Sequence, residues 1–305
     1  MNRSSPVRTR VADVTRSLLA RWPLPLPSMS GDKEDRGRLL LIAGAPDVPG
    51  AAILAANAAL RSGLGKLTIA TTTIAPVAQA IPEARVVGFD ARRGTIRVAT
   101  GGTDDVFDAI LVGPGLSANA ALSRCVRNAL AAAGPVTVVV DAGALRCAVE
   151  DASLAKRRSG QARCVFTPHA GEMAGMLGIA KSEIERDPCT FALRLATAMN
   201  VVVVLKGPIT YIASRGNVWV HNVRNPGLAT SGSGDVLAGV IGALSARGAT
   251  PEQAAVWGVA LHAMAGARLV RRHGALGALA RELPHEIPVI MNAFSASARR
   301  QNRRA

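Results

Sequence analysis

Residues Asn225 to Gly239 read N-P-G-L-A-T-S-G-S-G-D-V-L-A-G. The run Val218-Trp219-Val220 before them has strand character, and the small apolar residues from Val236 through Ala246 have the pattern of a helix. Gly232, Ser233, Gly234 and Asp235 lie between the two. Glycines without side chains let backbone N–H groups turn inward. A helix that begins there adds about half a positive charge at its N-terminus. Together these make a receptor for a phosphate. A carboxylate at the same spot would repel phosphates, unless it takes a proton from a hydroxyl about to attack one. Asp235 therefore reads as a catalytic base, with Gly232, Ser233 and Gly234 as the cradle for a phosphoryl group. An acid in the first turn of a helix is also favoured on structural grounds alone.

Outward from this stretch, short apolar runs alternate with helical patterns. Arg38–Ala43, Lys66–Thr71, Arg85–Phe89, Ala109–Val112, Val136–Val140, the run closing at Val165-Phe166 and Val201–Leu205 read as strands. Ile209–Ala213 and Val218–His221 read as a hairpin across Ser214–Asn217. Helical patterns cover Val11–Trp22, Ala51–Leu64, Ala118–Ala133, Ser182–Met199, Gly232–Ala246, Pro251–Val270 and Pro284–Phe294. Alternation of this kind predicts an α/β fold: a mostly parallel central sheet with both faces covered by helices, an α/β/α sandwich. There is no internal repeat and no linker that splits the chain. A basic N-terminal extension (1–21), one catalytic domain (22–296) and a basic C-terminal tail (297–305) are expected, with residues 1–10 disordered.

Residues able to do chemistry follow the strands. Gly113-Pro114-Gly115, Asp141, Thr167-Pro168-His169 and Lys206-Gly207 each stand directly after an apolar run. In an open α/β sheet that edge is where ligands bind. Gly115 leaves room for a ligand or simply makes a turn. His169 can donate to a polar ligand or cap its own turn. Glu172 can favour a helix N-terminus or reach a metal. Lys206 ends the run V-V-V-V-L, where an unpaired charge is costly, so a point charge facing phosphates is the economical reading. Asp141 can hold Mg²⁺ through water or pin a loop. Lys33, Arg36 and Gly37, before the first strand, are candidates for touching a second anion. Walker-type and G-x-G-x-x-G signatures are absent.

Composition narrows the class. The 305 residues carry 36 Lys+Arg against 21 Asp+Glu, which calls for an anionic partner, nucleic acid or a phosphorylated small molecule. Aromatics make up only 3%, so stacking platforms for nucleic acid are poorly supplied, and no specific nucleic acid is expected. Much of the basic excess sits in the terminal segments, where such tails are usually solvated. Cys125, Cys147, Cys164 and Cys189 fit no zinc spacing and read as small hydrophobes in a reducing cytoplasm. No apolar run approaches the ~18 residues that span a membrane.

N-P-G-L-A-T-S-G-S-G-D (225–235), T-P-H-A-G-E (167–172), V-L-K-G (204–207), G-P-G (113–115) and D-R-G-R-L-L-L-I-A-G (35–44) together resemble the ADP/ATP-dependent NAD(P)H-hydrate dehydratases, a branch of the ribokinase-like superfamily. The likeness runs from about Trp22 to about Pro288. It implies a ribokinase-like fold and a lyase acting on the S form of hydrated NADH or NADPH. A phosphoryl group from ADP or ATP, with Mg²⁺, would go to the ring hydroxyl, and elimination of phosphate would restore the nicotinamide. By motif position, Asp235 would be the base and a substrate contact, and Gly232–Gly234 the anion hole, with Gly234 touching the nucleotide. Lys206, Gly207, Pro208, Ile209 and Thr210 would form the nucleotide-binding loop. Ala51, Gly115 and His169 would line the hydrate site, Ala51 on the resemblance alone. No dedicated protein metal site is implied. A homo-oligomer, with a tetramer as one form, is expected.

Three departures stand out. The family's G-G-S-G-D is S-G-S-G-D here, with Ser231 in place of a glycine. The strand-end D-A-D is Asp141-Ala142-Gly143, which weakens a metal role for that loop. Many relatives also carry an epimerase domain upstream; the residues before Trp22 are too few for one, so epimerisation is expected from a separate protein. The rival readings are a vitamin or sugar-alcohol kinase of the same superfamily and a non-catalytic nucleotide-binding regulator.

Overall fold

The computed structural model of the chain describes residues 9–25, 32–97, 106–132, 136–150, 163–222 and 224–302. The disorder expected of residues 1–10 falls mostly outside them. In chain order the strands are β1 (Arg10–Asp13), β2 (Arg38–Ile42), β3 (Lys66–Thr71), β4 (Arg85–Asp90), β5 (Thr95–Arg97), β6 (Ala109–Val112), β7 (Thr137–Val140), β8 (Cys164–Phe166), β9 (Val202–Leu205), β10 (Thr210–Ser214) and β11 (Asn217–His221). The helices are α1 (Arg16–Arg21), α2 (Pro49–Arg61), α3 (Ile74–Ala80), α4 (Ala120–Ala132), α5 (Gly143–Val149), α6 (Ala170–Leu177), α7 (Lys181–Arg186), α8 (Pro188–Met199), α9 (Ser233–Ala246), α10 (Pro251–His273) and α11 (Leu283–Asn302).

One sheet organises these elements, in the order β1-β11-β10-β9-β8-β7-β6-β2-β3-β4-β5. The seven strands from β9 to β4 run parallel, and β10, with the β4–β5 pair, supplies the antiparallel joins. The central strands are apolar on both faces because both faces are covered. Leu39, Leu41, Val139, Val165, Val202 and Val204 point to the layer of α2, α9 and α10. Their neighbours Leu40, Ile42, Val138, Val140, Phe166 and Val203 point to the layer of α4, α5, α6 and α8. This is the three-layer α/β/α arrangement the alternation predicts.

From β2 the chain moves through β3 to β4, then β6 returns to the other flank of β2 and later strands proceed away from it. The strand order therefore reverses between β2 and β6, and the loops leaving their C-terminal ends open a crevice.

Three expectations need correction. The helix expected over Val11–Trp22 is a strand followed by a short helix: Arg10–Asp13 pairs in parallel with β11, and Thr15 caps α1 by accepting from the Leu18 N–H. Residues 10–21, read as an extension, are therefore attached to the sheet, and the indole of Trp257 donates to Trp22 O at 2.7 Å. The single helix expected over Ser182–Met199 is two. Pro188 lacks an N–H to continue α7, and Asp187 instead caps α8 through Thr190 N. Finally, α11 runs to Asn302, past the helix end expected at Phe294.

Candidate active site

Four strand ends and one helix start meet at the C-terminal edge of the sheet. β8 continues past Phe166 into a single parallel bridge between His169 and Lys206, closed by the Lys206 N–H donating to Pro168 O at 2.8 Å. This places the Lys206 side chain across the end of β7. Its ammonium lies 3.0 Å from Asp141 Oδ1 and 3.7 Å from Glu172 Oε2. Asp141 is 3% exposed and also accepts from the Thr167 hydroxyl at 2.7 Å, so of its two sequence readings the pinning role is the one visible here. Burial pulls the Lys206 ammonium down, but Asp141, Glu172 and Asp235 more than offset it, and the net shift is upward. The lysine stays charged.

The start of α9 faces this lysine. Gly232 has φ +84°, a conformation that favours glycine, and a Cβ there would strike the Leu54 side chain at 2.3 Å. A Cβ on Gly234 would stand only 3.4 Å from Lys206 Nζ. The glycine turn and the lysine therefore share one small space. Ser233 takes a different part from the one expected of it. Its N–H donates to Thr230 O, and its hydroxyl meets His262 Nε2 at 2.9 Å. Among the described residues the Gly234 N–H has no protein acceptor, which leaves it open to a ligand.

His262, in the middle of α10, carries no motif and went unread in the sequence. Its Nε2 also lies 3.0 Å from the Ser233 carbonyl oxygen, which only accepts, so Nε2 carries the proton. Burial pushes this imidazole down to about 4, and it stays neutral. The C=O and N–H of a trans peptide point in opposite directions. By holding the Ser233 carbonyl, His262 fixes the aim of the Gly234 N–H.

Asp235 follows in the first turn of α9, half-buried, with no side-chain hydrogen bond to another described residue. Burial raises its carboxyl, Asp141 and Glu172 raise it further, Lys206 opposes, and the result is about 6. A carboxylate poised there ionises near neutral pH and accepts a proton readily. Gly239 packs so closely on α2 that a Cβ would stand 2.2 Å from Ala55 O. One turn earlier on each helix are Asp235 and Ala51. Ala51 in turn meets the β6 loop: a Cβ on Gly115, φ +66°, would lie 2.7 Å from Ala51 Cβ and 2.9 Å from Val48 O. Ala51 and Gly115 thus meet at the crevice where the strand order reverses, and Asp235 lies one helical turn from the close contact of α9 with α2.

Of the two sequence readings of His169, the cap is the one visible here. Its Nδ1 accepts from the Glu172 N–H at 3.1 Å, while Glu172 Oε2 accepts from the His169 N–H at 2.8 Å, a capping box for α6. With Nδ1 accepting, the neutral ring carries its proton on exposed Nε2. Glu172 thus serves the helix and the lysine together.

A cleft of about 680 Å³ opens on the other side of the turn. His169, Lys206, Gly207, Pro208 and Thr210 line it together with Ser233, Gly234 and His262, so His169, expected at the hydrate site, stands at the border of this cleft; Ile209 is outside the lining. His221, Arg224 and Asn225 close the far end and were not anticipated. The volume suits a nucleotide-sized ligand. Lys33, Arg36 and Gly37 are not in this site. They precede β2, at the opposite edge of the sheet, so the second-anion expectation does not hold there.

The Gly143 departure has a local cause. As the backbone runs here, a Cβ on Gly143 would stand 2.2 Å from Leu116 O. Among the described residues no group of three or more His, Cys, Asp or Glu side chains is placed to hold a metal. No helix of the described residues is long and apolar enough to cross a membrane.

The chain matches known proteins over most of its length. The family model for NAD(P)H-hydrate dehydratase matches residues 39–289. The chain is 43% identical to the ADP-dependent (S)-NAD(P)H-hydrate dehydratase of Xanthomonas campestris over 93% of its length and 97% of that protein. It is 32% identical to the bifunctional NAD(P)H-hydrate repair enzyme of Escherichia coli, of which it spans about half (53%). Among solved structures, it is similar to the ADP/ATP-dependent NAD(P)H-hydrate dehydratase of Bacillus subtilis co-crystallised with ATP and Mg²⁺. That match has a TM-score of 0.79 at 32% identity and covers 93% of this chain and 99% of the other.

Proposed function

This chain belongs to the NAD(P)H-hydrate dehydratase family, and from that we propose that it dehydrates the S form of hydrated NADH or NADPH at the expense of ADP or ATP. The nucleotide occupies the cleft beside Lys206–Thr210, with its terminal phosphate on the Gly234 N–H. The hydrated ring lies in the crevice bounded by Ala51 and Gly115, with His169 offering its Nε2 proton. Asp235 stands between the two.

Hydroxide leaves poorly and phosphate leaves well. Asp235 removes the ring hydroxyl's proton as that oxygen bonds to the terminal phosphorus, and the bond to the departing nucleotide breaks. AMP leaves when the donor is ADP, and ADP when it is ATP. Lys206 and the glycine N–H groups face the charge that develops on the phosphoryl oxygens. The lone pair of the ring nitrogen then helps expel phosphate, and loss of a proton from the neighbouring carbon restores the double bond. Asp141 and Glu172, with Asp235, put three carboxylates around one ammonium. No trio of these side chains is placed to hold a metal directly among the described residues, so a Mg²⁺ carried in on the phosphates would meet Glu172 and Asp141 only through water. Bound there, the ion would supply charge neutralisation.

The observation that carries this reading is a carboxylate raised to about 6 beside a glycine turn whose Gly234 lies against the Lys206 ammonium. Incubation with hydrated NADH plus ADP or ATP tests it. The reduced-nicotinamide absorbance should return with one phosphate released per turnover. A stable phosphorylated product would make the chain a kinase, and no return of absorbance with either donor would refute the proposal.

The same proposal includes a homo-oligomer, which light scattering after size exclusion would check, and a separate epimerase supplying the S form. It also places the protein in the cytoplasm, a compartment in keeping with four cysteines that form no disulfide. Recovery of activity in a membrane or periplasmic fraction would contradict that placement.

A further inference from the structure

The proposed chemistry consumes only one end of a long substrate. The hydrated ring is half of a dinucleotide, and the nucleotide donor takes the cleft on the Lys206 side of α9. The distal half must leave the crevice in the other direction, across the ends of β2, β3 and β4.

A second groove lies there, about 760 Å³, bounded by Thr71, Thr72, Asp90, Arg92 and Arg93. It shares a wall with the crevice. The Thr71 and Thr72 hydroxyls both donate to Gly44 O, at 3.2 and 3.1 Å. The Gly44 N–H in turn donates to Pro114 O at 2.9 Å, and Gly44 Cα lies 3.6 Å from where a Cβ on Gly115 would be. From β6 to β4 is three strand spacings, about 14 Å, a separation a dinucleotide bridges.

The turn that carries the two arginines is locked. Asp90, which lines the groove, accepts through Oδ1 from the Arg92 and Arg93 N–H groups at 2.9 and 3.0 Å. Arg124 reaches from α4 and donates to Arg92 O and Arg93 O at 2.7 and 3.1 Å. Gly94 has φ +68° and presses against α4 so that a Cβ would stand 2.1 Å from Ala121 O. These bonds all use backbone atoms of Arg92 and Arg93. The fold therefore holds in place the backbone from which two exposed arginine side chains extend at the rim of a groove that continues the crevice.

We propose that this groove binds the phosphorylated distal half of the dinucleotide, with Arg92 and Arg93 contacting its pyrophosphate or its 2′-phosphate. Bidentate contact from arginine to phosphate is strong and geometrically selective. The inference deepens the dehydratase reading and rests on it, but its test does not require turnover.

The test is titration of the full chain, saturated with ADP, by NADH and by NADPH, followed by dinucleotide fluorescence. Arg92→Ala/Arg93→Ala should weaken binding about tenfold or more, the scale of a lost charge-assisted hydrogen bond. An equal loss for both dinucleotides assigns the arginines to the pyrophosphate; a loss confined to NADPH assigns them to the 2′-phosphate. The melting temperature should hold, because the turn is clamped through its backbone. Arg92→Lys/Arg93→Lys, which keeps the charge, should recover part of the affinity. In turnover the double alanine variant should raise KM for the hydrate and leave kcat and the KM for ADP or ATP unchanged. Unchanged affinity for both dinucleotides in a stably folded double alanine variant would overturn the inference, as would failure of the wild type to bind either one. A wild type that binds both but does not dehydrate the hydrate would count against the proposed reaction and leave the groove standing.

Discussion

Replacing Asp235 with Asn should inactivate the protein and stabilise it at the same time. The raised carboxyl makes the sign plain. In the native state the group titrates near 6 rather than 3.8, because burial and the neighbouring Asp141 and Glu172 charges disfavour its ionised form. Between those two values the native state binds the proton more tightly than the unfolded chain, so the stability from this residue is complete below 3.8 and is lost as pH rises through about 6. Above that, the buried charge costs the native state about 2–3 kcal/mol, from a shift of roughly two pH units at 1.36 kcal/mol each. Asn removes that cost. At pH 8 the melting temperature should rise by roughly 3–5 °C, given the unfolding entropy of a chain this size, and at pH 4 it should barely move. Turnover should fall by about 10²–10⁴, the usual contribution of a general base, while ADP still binds. Calorimetric melting curves at the two pH values, run beside the absorbance assay, measure both. A variant that melts lower at pH 8, or that keeps turnover within tenfold of wild type, would refute the assignment of Asp235 as a destabilised base.

Turnover should also follow pH. Asp235 acts as the anion, so kcat/KM should climb as pH rises through about 6 and then level; a flat profile from pH 5 to 8 would count against it. Lys206→Met removes the charge that opposes the rise at Asp235, so the limb should move to higher pH, and loss of the buried ion pair with Asp141 should cost about 3 kcal/mol in denaturant unfolding. His262→Ala should raise KM for the nucleotide and cost about 2–4 kcal/mol, by opening a cavity and leaving the Ser233 hydroxyl and carbonyl unpaired; an unchanged KM would remove His262 from the positioning of the turn. Gly115→Ala, which brings a Cβ to 2.7 Å from Ala51, should raise KM for the hydrate and spare that for the nucleotide; equal rises in both would place Gly115 outside the hydrate crevice.

The parts of this molecule visible in its sequence are those in which local chemistry and position coincide. Lys206, Asp141 and the His169 turn each follow a run of apolar residues, and a parallel sheet buried on both faces forces such runs and leaves their C-terminal ends open. The glycine turn was legible because its φ of +84° at Gly232 demands the residue that is there. Other features depend on partners far away in the chain. Arg10–Asp13 is exposed at all four positions and has no apolar pattern; it is a strand only because β11 offers a free edge. His262 looks like any residue of an apolar helix until α10 is laid against the start of α9. Arg92 and Arg93 belong to no motif of the sequence, and only the groove beside them marks them out. Pro188 did carry a local signal, since Asp followed by Pro is a helix start, but the apolar periodicity continuing on both sides of it hid the break.

One carboxylate, placed between two ligands, is central to the proposed reaction. A structure of the chain with a non-transferable ATP analogue and hydrated NADPH measures that placement directly. The ring hydroxyl should lie within about 2.6–3.2 Å of an Asp235 oxygen, with the terminal phosphate against the Gly234 N–H and the Lys206 ammonium. A hydroxyl nearer to another base, or a phosphate bound away from the glycine turn, would contradict it.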